Sequence, residues 1–396
     1  MQSKLPKDSA RIFFSTGEVS GDIFSARLAE LIAEEAEKNN SHVSFEAIGG
    51  TQLKKIGAHI HVDTSAWSVV GKIQTLGVVL NAYSGWRKAK KALRTGTPGL
   101  FIPVDFGGLN IKLARYAKTL GWKVLYFIPP GSWRRENPGK DIPQVCDAAI
   151  TQYSWYADLL KQIGTNVHFF GHPIKQRVKE SLRPQKRLKN RIGILPGSRV
   201  HELNMNLPII AEVCSQIDNY EFEICVSPNF DVKHVKQIWE DAFNKIGKPS
   251  KKAIYTSSDV YGVLSRAHAA IVCAGTATLE AGLCGCPSVV MYATSKLMNF
   301  EVFLRRPKYK FVSIASMILD RKVHPEFVMN EANAENIYNS LSHLLEDTQE
   351  RKQQLEDSVE LSKVLGPEDA LTRSAKLAFE MVAEIKPSSR LDCSIS

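Results

Sequence analysis

Short apolar runs alternate with helical stretches along almost the whole chain. Segment 11–15 (RIFFS) predicts a buried strand and 16–22 (TGEVSGD) a turn of small and polar residues. Behind them Phe24, Leu28, Leu31 and Ile32 recur at helical spacing, with Ser20 as the expected N-cap. A second strand is expected over 43–48 before Gly49-Gly50, and two more over 100–105 (LFIPVD) and 123–128 (KVLYFI), with a helix over 111–120 between these two. Segment 171–187 is polar, basic and marked by prolines, and predicts a crossing into a second domain. The pattern then restarts. Strands are expected over 191–195, 222–226, 269–273 and 288–292, a turn over 196–199 (PGSR) and a helix over 207–217. Late helices carry Ile337, Leu341 and Leu344. After a break at Gly366-Pro367, a final amphipathic helix shows Leu371, Ala375, Ala378, Val382 and Ile385 on one face.

Such alternation predicts an α/β protein built on doubly wound parallel sheets, whose ligands bind at the carboxyl ends of the strands. At 396 residues the chain is too long for one core of ordinary size, so two similar α/β domains facing each other across a cleft are expected, over 1–175 and 186–365. With 44% apolar and 23% charged residues the composition is that of a soluble globular protein and excludes a mostly disordered one. Seven cysteines are too few for a disulfide scaffold, and Cys284 and Cys286 stand one residue apart rather than the two of a redox pair, so buried reduced thiols in a cytosolic protein are expected. The first residues carry charges where a secretory signal would be apolar, and no stretch is long and apolar enough to span a bilayer. Lys and Arg exceed Asp and Glu by 51 to 41, a net charge of +10. A basic surface suits nucleic acid, anionic lipid or phosphorylated substrates, and charge alone does not choose among them.

Three strand-to-turn junctions carry the chemistry. In 195–199 (LPGSR), followed by Glu202, a glycine admits an anion close to the backbone, Ser198 offers a hydroxyl and Arg199 a fork of donors suited to phosphate. In 273–280 (CAGTATLE), Gly275, Thr276 and Ala277 open a helix whose free N–H groups favour a diphosphate, and Glu280 stands one turn on, placed to accept from a ribose diol. Together they suggest a nucleoside-diphosphate site. No GxxxxGK[ST] occurs, which argues against ATP hydrolysis. The third junction, 16–22, lacks the glycine spacing of a dinucleotide fingerprint and suits the group being transferred. No histidine or cysteine pair has ligand spacing, so no metal and no cofactor are expected; His172, at the domain crossing, reads as a hinge residue with a structural bond.

The order and spacing of 16–22, Asp105 to Asn110, 171–173 (GHP), 195–202, 275–280 and 286–287 (CP) resemble the lipid-A-disaccharide synthase family of inverting glycosyltransferases, over nearly the whole chain. The resemblance implies a GT-B fold, a UDP-sugar donor, no metal, and a cytoplasmic protein peripheral to the inner face of the cytoplasmic membrane. It also implies that a C-terminal helix within 367–390 packs back on the first domain. The family transfers 2,3-diacylglucosamine from UDP to 2,3-diacylglucosamine 1-phosphate. On that pattern Asp105 is the base that takes the acceptor's proton, and Arg199 holds the leaving diphosphate. Glu18, Ser20, Asp22, Asn110, Ser198, Glu202, Gly275, Thr276, Ala277, Glu280 and Glu326 bind substrate.

This chain departs from the family pattern mainly in its first half. Gly108 replaces a second aspartate, Gln74 a glutamate, 128–135 (IPPGSWRR) keeps little of a tryptophan-rich stretch, and 153–156 (YSWY) replaces F-P-x-E. In the second half Ser316 and Met329 replace an asparagine and a glutamine. Two other readings therefore stand beside the first: a UDP-sugar transferase with a different acceptor, and a weakened relative that binds nucleotide or lipid without turnover. Apart from the resemblance, the apolar 76–80, the basic 86–94 (WRKAKKALR) and the aromatic-cationic 300–310 suit an anionic membrane surface, and no nucleic-acid module is recognisable.

Overall fold

The computed structural model describes residues 9–64, 75–131, 140–183, 186–294 and 310–385, and of residues 75–83 the helix without its side chains. The chain forms two units. One runs to Gln176 and resumes at Pro367; the other is Arg177–Gly366.

In the first unit seven strands form a sheet in the order β3-β2-β1-β4-β5-β6-β7, every pair parallel. They are β1 (Ala10–Ser15), β2 (Val43–Gly49), β3 (His59–Asp63), β4 (Leu100–Pro103), β5 (Lys123–Phe127), β6 (Ala148–Thr151) and β7 (Val167–Phe169). The central strands are apolar on both faces, since helices cover the sheet on each side: Ile12, Phe13, Phe14, Leu100, Phe101 and Ile102 are all fully buried. In the second unit β8 (Leu188–Leu195), β9 (Glu221–Val226), β10 (Ala253–Ser257), β11 (Ala267–Cys273), β12 (Ser288–Tyr292) and β13 (Glu326–Val328) form a parallel sheet in the order β10-β9-β8-β11-β12-β13. Ile192, Ile194, Phe222, Ile224 and Ile271 pack there with Trp239 and Phe243 from the helix Val232–Ile246.

Both sheets reverse strand order once, between β1 and β4 and between β8 and β11. Successive connections leave those neighbouring strands in opposite directions, so a crevice opens at their carboxyl ends, where ligands of doubly wound folds bind. The three junctions singled out in the sequence follow β1, β8 and β11, and Asp105 follows β4.

Several boundaries differ from expectation. The helix Val19–Lys38 takes Glu18, not Ser20, as its N-cap, and no side chain caps it. The helix expected over 111–120 begins at Gly107, and the one expected over 207–217 begins at Val200, because their polar or glycine-bearing first turns hide the helical spacing. Segment 171–187 is not a polar linker throughout: it contains the helix Pro173–Ser181, with Ile174 and Val178 buried, and the first unit ends inside it.

The returning helix Ala370–Ala383 packs on Val19–Lys38, and Gln176 accepts from the amides of Leu371 and Thr372 at 2.7 and 3.1 Å. Gly171 is held at φ +104°, where a β-carbon would lie 2.4 Å from the carbonyl oxygen of Pro367. Gly171→Ala therefore combines backbone strain with a clash against main chain, and should lower the unfolding free energy by about 2 kcal/mol or more in chemical denaturation.

Candidate functional site

At the switch point of the first sheet, β4 ends in a turn that no ordinary side chain adopts easily. Asp105 and Phe106 both lie in the left-handed region, at φ +46° and +48°. Each such residue costs on the order of 1–3 kcal/mol, most for a bulky side chain like Phe106. The turn is fastened by a buried amide. Asn110, fully buried on the helix Gly107–Thr119, accepts from the Ser15 hydroxyl at 2.6 Å and donates to the carbonyls of Ser15, Val104 and Asp105 at 2.9, 3.0 and 3.0 Å. Tyr126 donates its hydroxyl to the Asp105 carbonyl at 3.1 Å, and the Asp105 amide donates to Phe127. Gly107 lies where a β-carbon would stand 2.6 Å from Pro130, whereas nothing lies within 4 Å of a β-carbon at Gly108.

The Asp105 side chain keeps a solvent-exposed face while protein surrounds the rest. Desolvation, together with the negative charge of Glu18, raises its carboxyl from 3.8 to about 6, against the lowering effect of a hydrogen bond from the Phe106 backbone. A carboxyl tuned toward neutrality at a strand end is what general-base chemistry requires. Glu18 is exposed on the turn after β1, next to the partly buried Ser20. Asp22 differs: it is buried, and its carboxylate accepts from the amides of Gly50, Gln52 and Leu53 at 2.8, 2.8 and 3.4 Å. Both of its oxygens serve the first turn of the short helix Thr51–Lys55.

In the second unit the loop after β8 is built around Glu202. Its Oε2 accepts from the amides of Ser198 and Arg199 at 2.9 and 3.2 Å, and its Oε1 from the Arg199 guanidinium at 2.8 Å. Gly197, at φ +119°, permits this, since a β-carbon there would meet Glu202 at 2.6 Å. Ser198 and Arg199 stay exposed, Glu202 is buried, and Asn206 secures the loop from behind by donating to the Pro196 carbonyl at 2.8 Å while accepting from Ala293 at 2.9 Å. On the neighbouring strand Gly275 adopts φ +143° and ψ −155°, a conformation for glycine alone, with nothing within 4 Å of a β-carbon. It opens the helix Thr276–Leu283, whose first residues Thr276 and Ala277 are partly exposed. These amides and Arg199 follow adjacent strands and form a cationic, donor-rich edge suited to a diphosphate.

Glu280 is buried, accepts the Tyr261 hydroxyl at 3.0 Å, and is raised by desolvation against the opposing pull of Arg177 and that hydroxyl. Arg177 lies over the Tyr261 ring at 5.6 Å. Glu326 accepts from the Val312 amide at 2.7 Å, and its other oxygen is buried without a partner. His172 is buried, accepts from the Ile174 amide at 3.2 Å and is lowered by burial to about 3, so it stays neutral and structural. Six cysteines are unpaired among the described residues, all but Cys284 buried. Of these groups the sequence did not single out Ser15, Tyr126, Asn206, Tyr261 or Arg177. The available signal was a polar group inside an apolar element, Tyr126 in KVLYF and Asn206 on a helix, since such groups are buried only with partners.

Two parallel α/β sheets with the same 3-2-1-4 strand order, each with its candidate groups at the switch point, are the architecture of the GT-B fold. Solved structures with that fold cover nearly all of this chain. Staphylococcus aureus MnaA, solved with UDP, superposes with a TM-score of 0.61 at 12% identity over 96% of this chain and 99% of its own. Acinetobacter baumannii MurG superposes with a TM-score of 0.53 at 15% identity over 94% and 99%. The family described as lipid-A-disaccharide synthetase matches residues 12–379, and the lipid-A-disaccharide synthase of Geobacter metallireducens is 28% identical over 388 residues, 94% of this chain and 98% of that one. The chain belongs to the lipid-A-disaccharide synthetase family, and with it to the hexosyltransferases.

Asp22 and Glu202 separate two kinds of loss. Asp22→Ala should lower thermal stability by about 1–2 kcal/mol, the scale of a lost helix cap, with UDP affinity unchanged by calorimetry. Glu202→Ala should weaken UDP binding about tenfold, because it frees the amides and guanidinium that it holds in place.

Proposed function

We propose that this protein transfers a 2,3-diacylglucosamine unit from its UDP donor to a free hydroxyl of 2,3-diacylglucosamine 1-phosphate, releasing UDP and inverting the anomeric centre. Asp105 removes the proton from the acceptor hydroxyl as that oxygen attacks C1. Arg199, the Ser198 hydroxyl and the amides at Gly275, Thr276 and Ala277 bind the diphosphate and stabilise the charge that grows on it as the glycosidic bond breaks. Glu280 accepts from the ribose hydroxyls with the oxygen that Tyr261 leaves available. Glu18 and Ser20 lie beside the sugar being transferred, and Glu326 contributes from the second unit.

The near-neutral carboxyl of Asp105 on its fastened turn carries this reading, supported by membership of the family. Asp22, Asn110 and Glu202 keep a place in it through the turns that they hold, since their polar atoms are engaged within the protein. Metal independence belongs to the proposal: the diphosphate's charge is met by a guanidinium and backbone amides, and among the described residues no group of three His, Cys, Asp or Glu gathers as a metal site.

The acceptor is a lipid, and an anionic membrane surface is the proposed place of work. Arg87, Lys88, Lys91 and Arg94 form an exposed stripe along the helix Thr75–Arg94, while Lys90 turns aside to lie 4.3 Å from the Tyr116 ring. Among the described residues no helix is long and apolar enough to cross a membrane. Segments 65–74, 132–139 and 295–309, with Gln74, Trp133 and most of 300–310, lie outside the described residues.

UDP release from the acylated donor, measured with and without acceptor, tests the reaction. Turnover should require both and persist in EDTA. Because the base works only when ionised, kcat/KM should rise with pH through about 6 and level off above it. Asp105→Asn should lower kcat by about 10²–10⁴-fold and remove that limb. UDP binding with no turnover of any acylated acceptor would point instead to a relative that only binds.

A further inference from the structure

The sequence places Asn110 among the substrate-binding residues, and the structure gives its amide a different task. Its side-chain oxygen takes the Ser15 hydroxyl at 2.6 Å, and its nitrogen reaches the carbonyls of Ser15, Val104 and Asp105 at 2.9 to 3.0 Å. It is fully buried, with both N–H donors shared among those three carbonyls and its oxygen taking the Ser15 hydroxyl, so the protein encloses it away from any ligand. Two of its partners lie at the end of β1 and two at the end of β4, the strands on either side of the switch point.

Tyr126 completes the arrangement from β5. Its hydroxyl donates to the same Asp105 carbonyl at 3.1 Å, so that one oxygen receives two buried donors. The Asp105 amide is committed to Phe127 at 3.1 Å. The main chain of Asp105 is thus held at both its amide and its carbonyl, in a conformation that two consecutive left-handed residues would otherwise leave. Only the carboxylate remains to act.

We infer that Asn110 and Tyr126 are positioning residues: they clamp the backbone carbonyl of Asp105 and fix the direction of its carboxylate, and neither touches substrate. This rests on the reading of Asp105 as the base. Small displacements of a reacting group have large kinetic effects, so the clamp acts on kcat while donor and acceptor binding stay as they are.

Tyr126→Phe removes one oxygen from a ring that stays packed, and Asn110→Ala removes the amide. Steady-state kinetics for both substrates, UDP affinity by calorimetry, the pH–rate profile and the melting temperature are read for each. Tyr126→Phe is expected to lower kcat about 3- to 10-fold and Asn110→Ala about 100-fold, with both KM values and UDP affinity within about twofold of the parent. In the double variant the losses should be less than multiplicative, because both act on one carbonyl.

A raised KM at unchanged kcat would make Asn110 a substrate contact and overturn the inference. So would a lowered melting temperature with kcat intact, which would leave the amide a purely structural role. Tyr126→Phe carries the test by itself where Asn110→Ala does not fold. Asp105→Asn run alongside separates the two failures: an active Asp105→Asn refutes the base, whereas an inactive one beside an unimpaired Tyr126→Phe refutes the clamp alone.

Discussion

Where neighbouring parallel strands part company, the carbonyls at their carboxyl ends lose the partners that the sheet would have given them, and each must find a donor or stay unpaired in the interior. This requirement shapes both functional edges of the protein. In the first unit Asn110 meets it for Val104 and Asp105, and adds a second donor to the Ser15 carbonyl, which also takes the Val104 amide. In the second Asn206 does so for Pro196 while receiving the amide of Ala293, and so joins the loop after β8 to the end of β12. Each asparagine is fully buried on a helix that starts beside the loop it serves. The reactive side chains stand on loops, and the loops are rigid because an amide behind them completes the backbone's hydrogen bonding.

The two edges have opposite electrical character, as group transfer from a nucleoside diphosphate demands. The first gathers carboxylates, with Asp105 made more basic by desolvation and by Glu18. The second presents Arg199 and the amides of a helix start opened by a glycine at φ +143°. A buried carboxylate, Glu202, sits under this edge and pairs with the Arg199 guanidinium, so part of the edge's donor character comes from the backbone amides. It shapes the loop as much as it balances charge.

Much of this was legible in the sequence. Buried central strands such as RIFFS and the 269–273 run declare themselves by continuous apolarity, and glycine-bearing turns after them mark the functional edges. The outer strands and the inner β6 (AAIT) were not read: β7 (VHF), β10 (AIYTS) and β13 (EFV) are short and partly polar, and the alternation of β3 (HIHVD) runs for only five residues. Asp22, Asn110 and Glu202 show a subtler limit. A polar residue close to a glycine-rich turn looks the same in sequence whether it faces a ligand or braces the turn from inside, and for these three it is the hydrogen bonds of their side chains that show the brace. Ser20 was misplaced as a cap for a related reason: it is the second residue of a helix that begins at Val19, behind a Glu18 whose side chain makes no capping bond.

The hydrogen bonds described for the Asp105 turn come from Ser15, Asn110, Tyr126 and Phe127, and those for the loop after β8 from Glu202, Asn206 and Asn229. At Gly108, three residues after Asp105, a β-carbon would meet nothing within 4 Å, so the surface beside the fastened turn has room for a side chain. A substitution there would change the face offered beside the carboxylate while leaving the buried amide that holds the turn untouched.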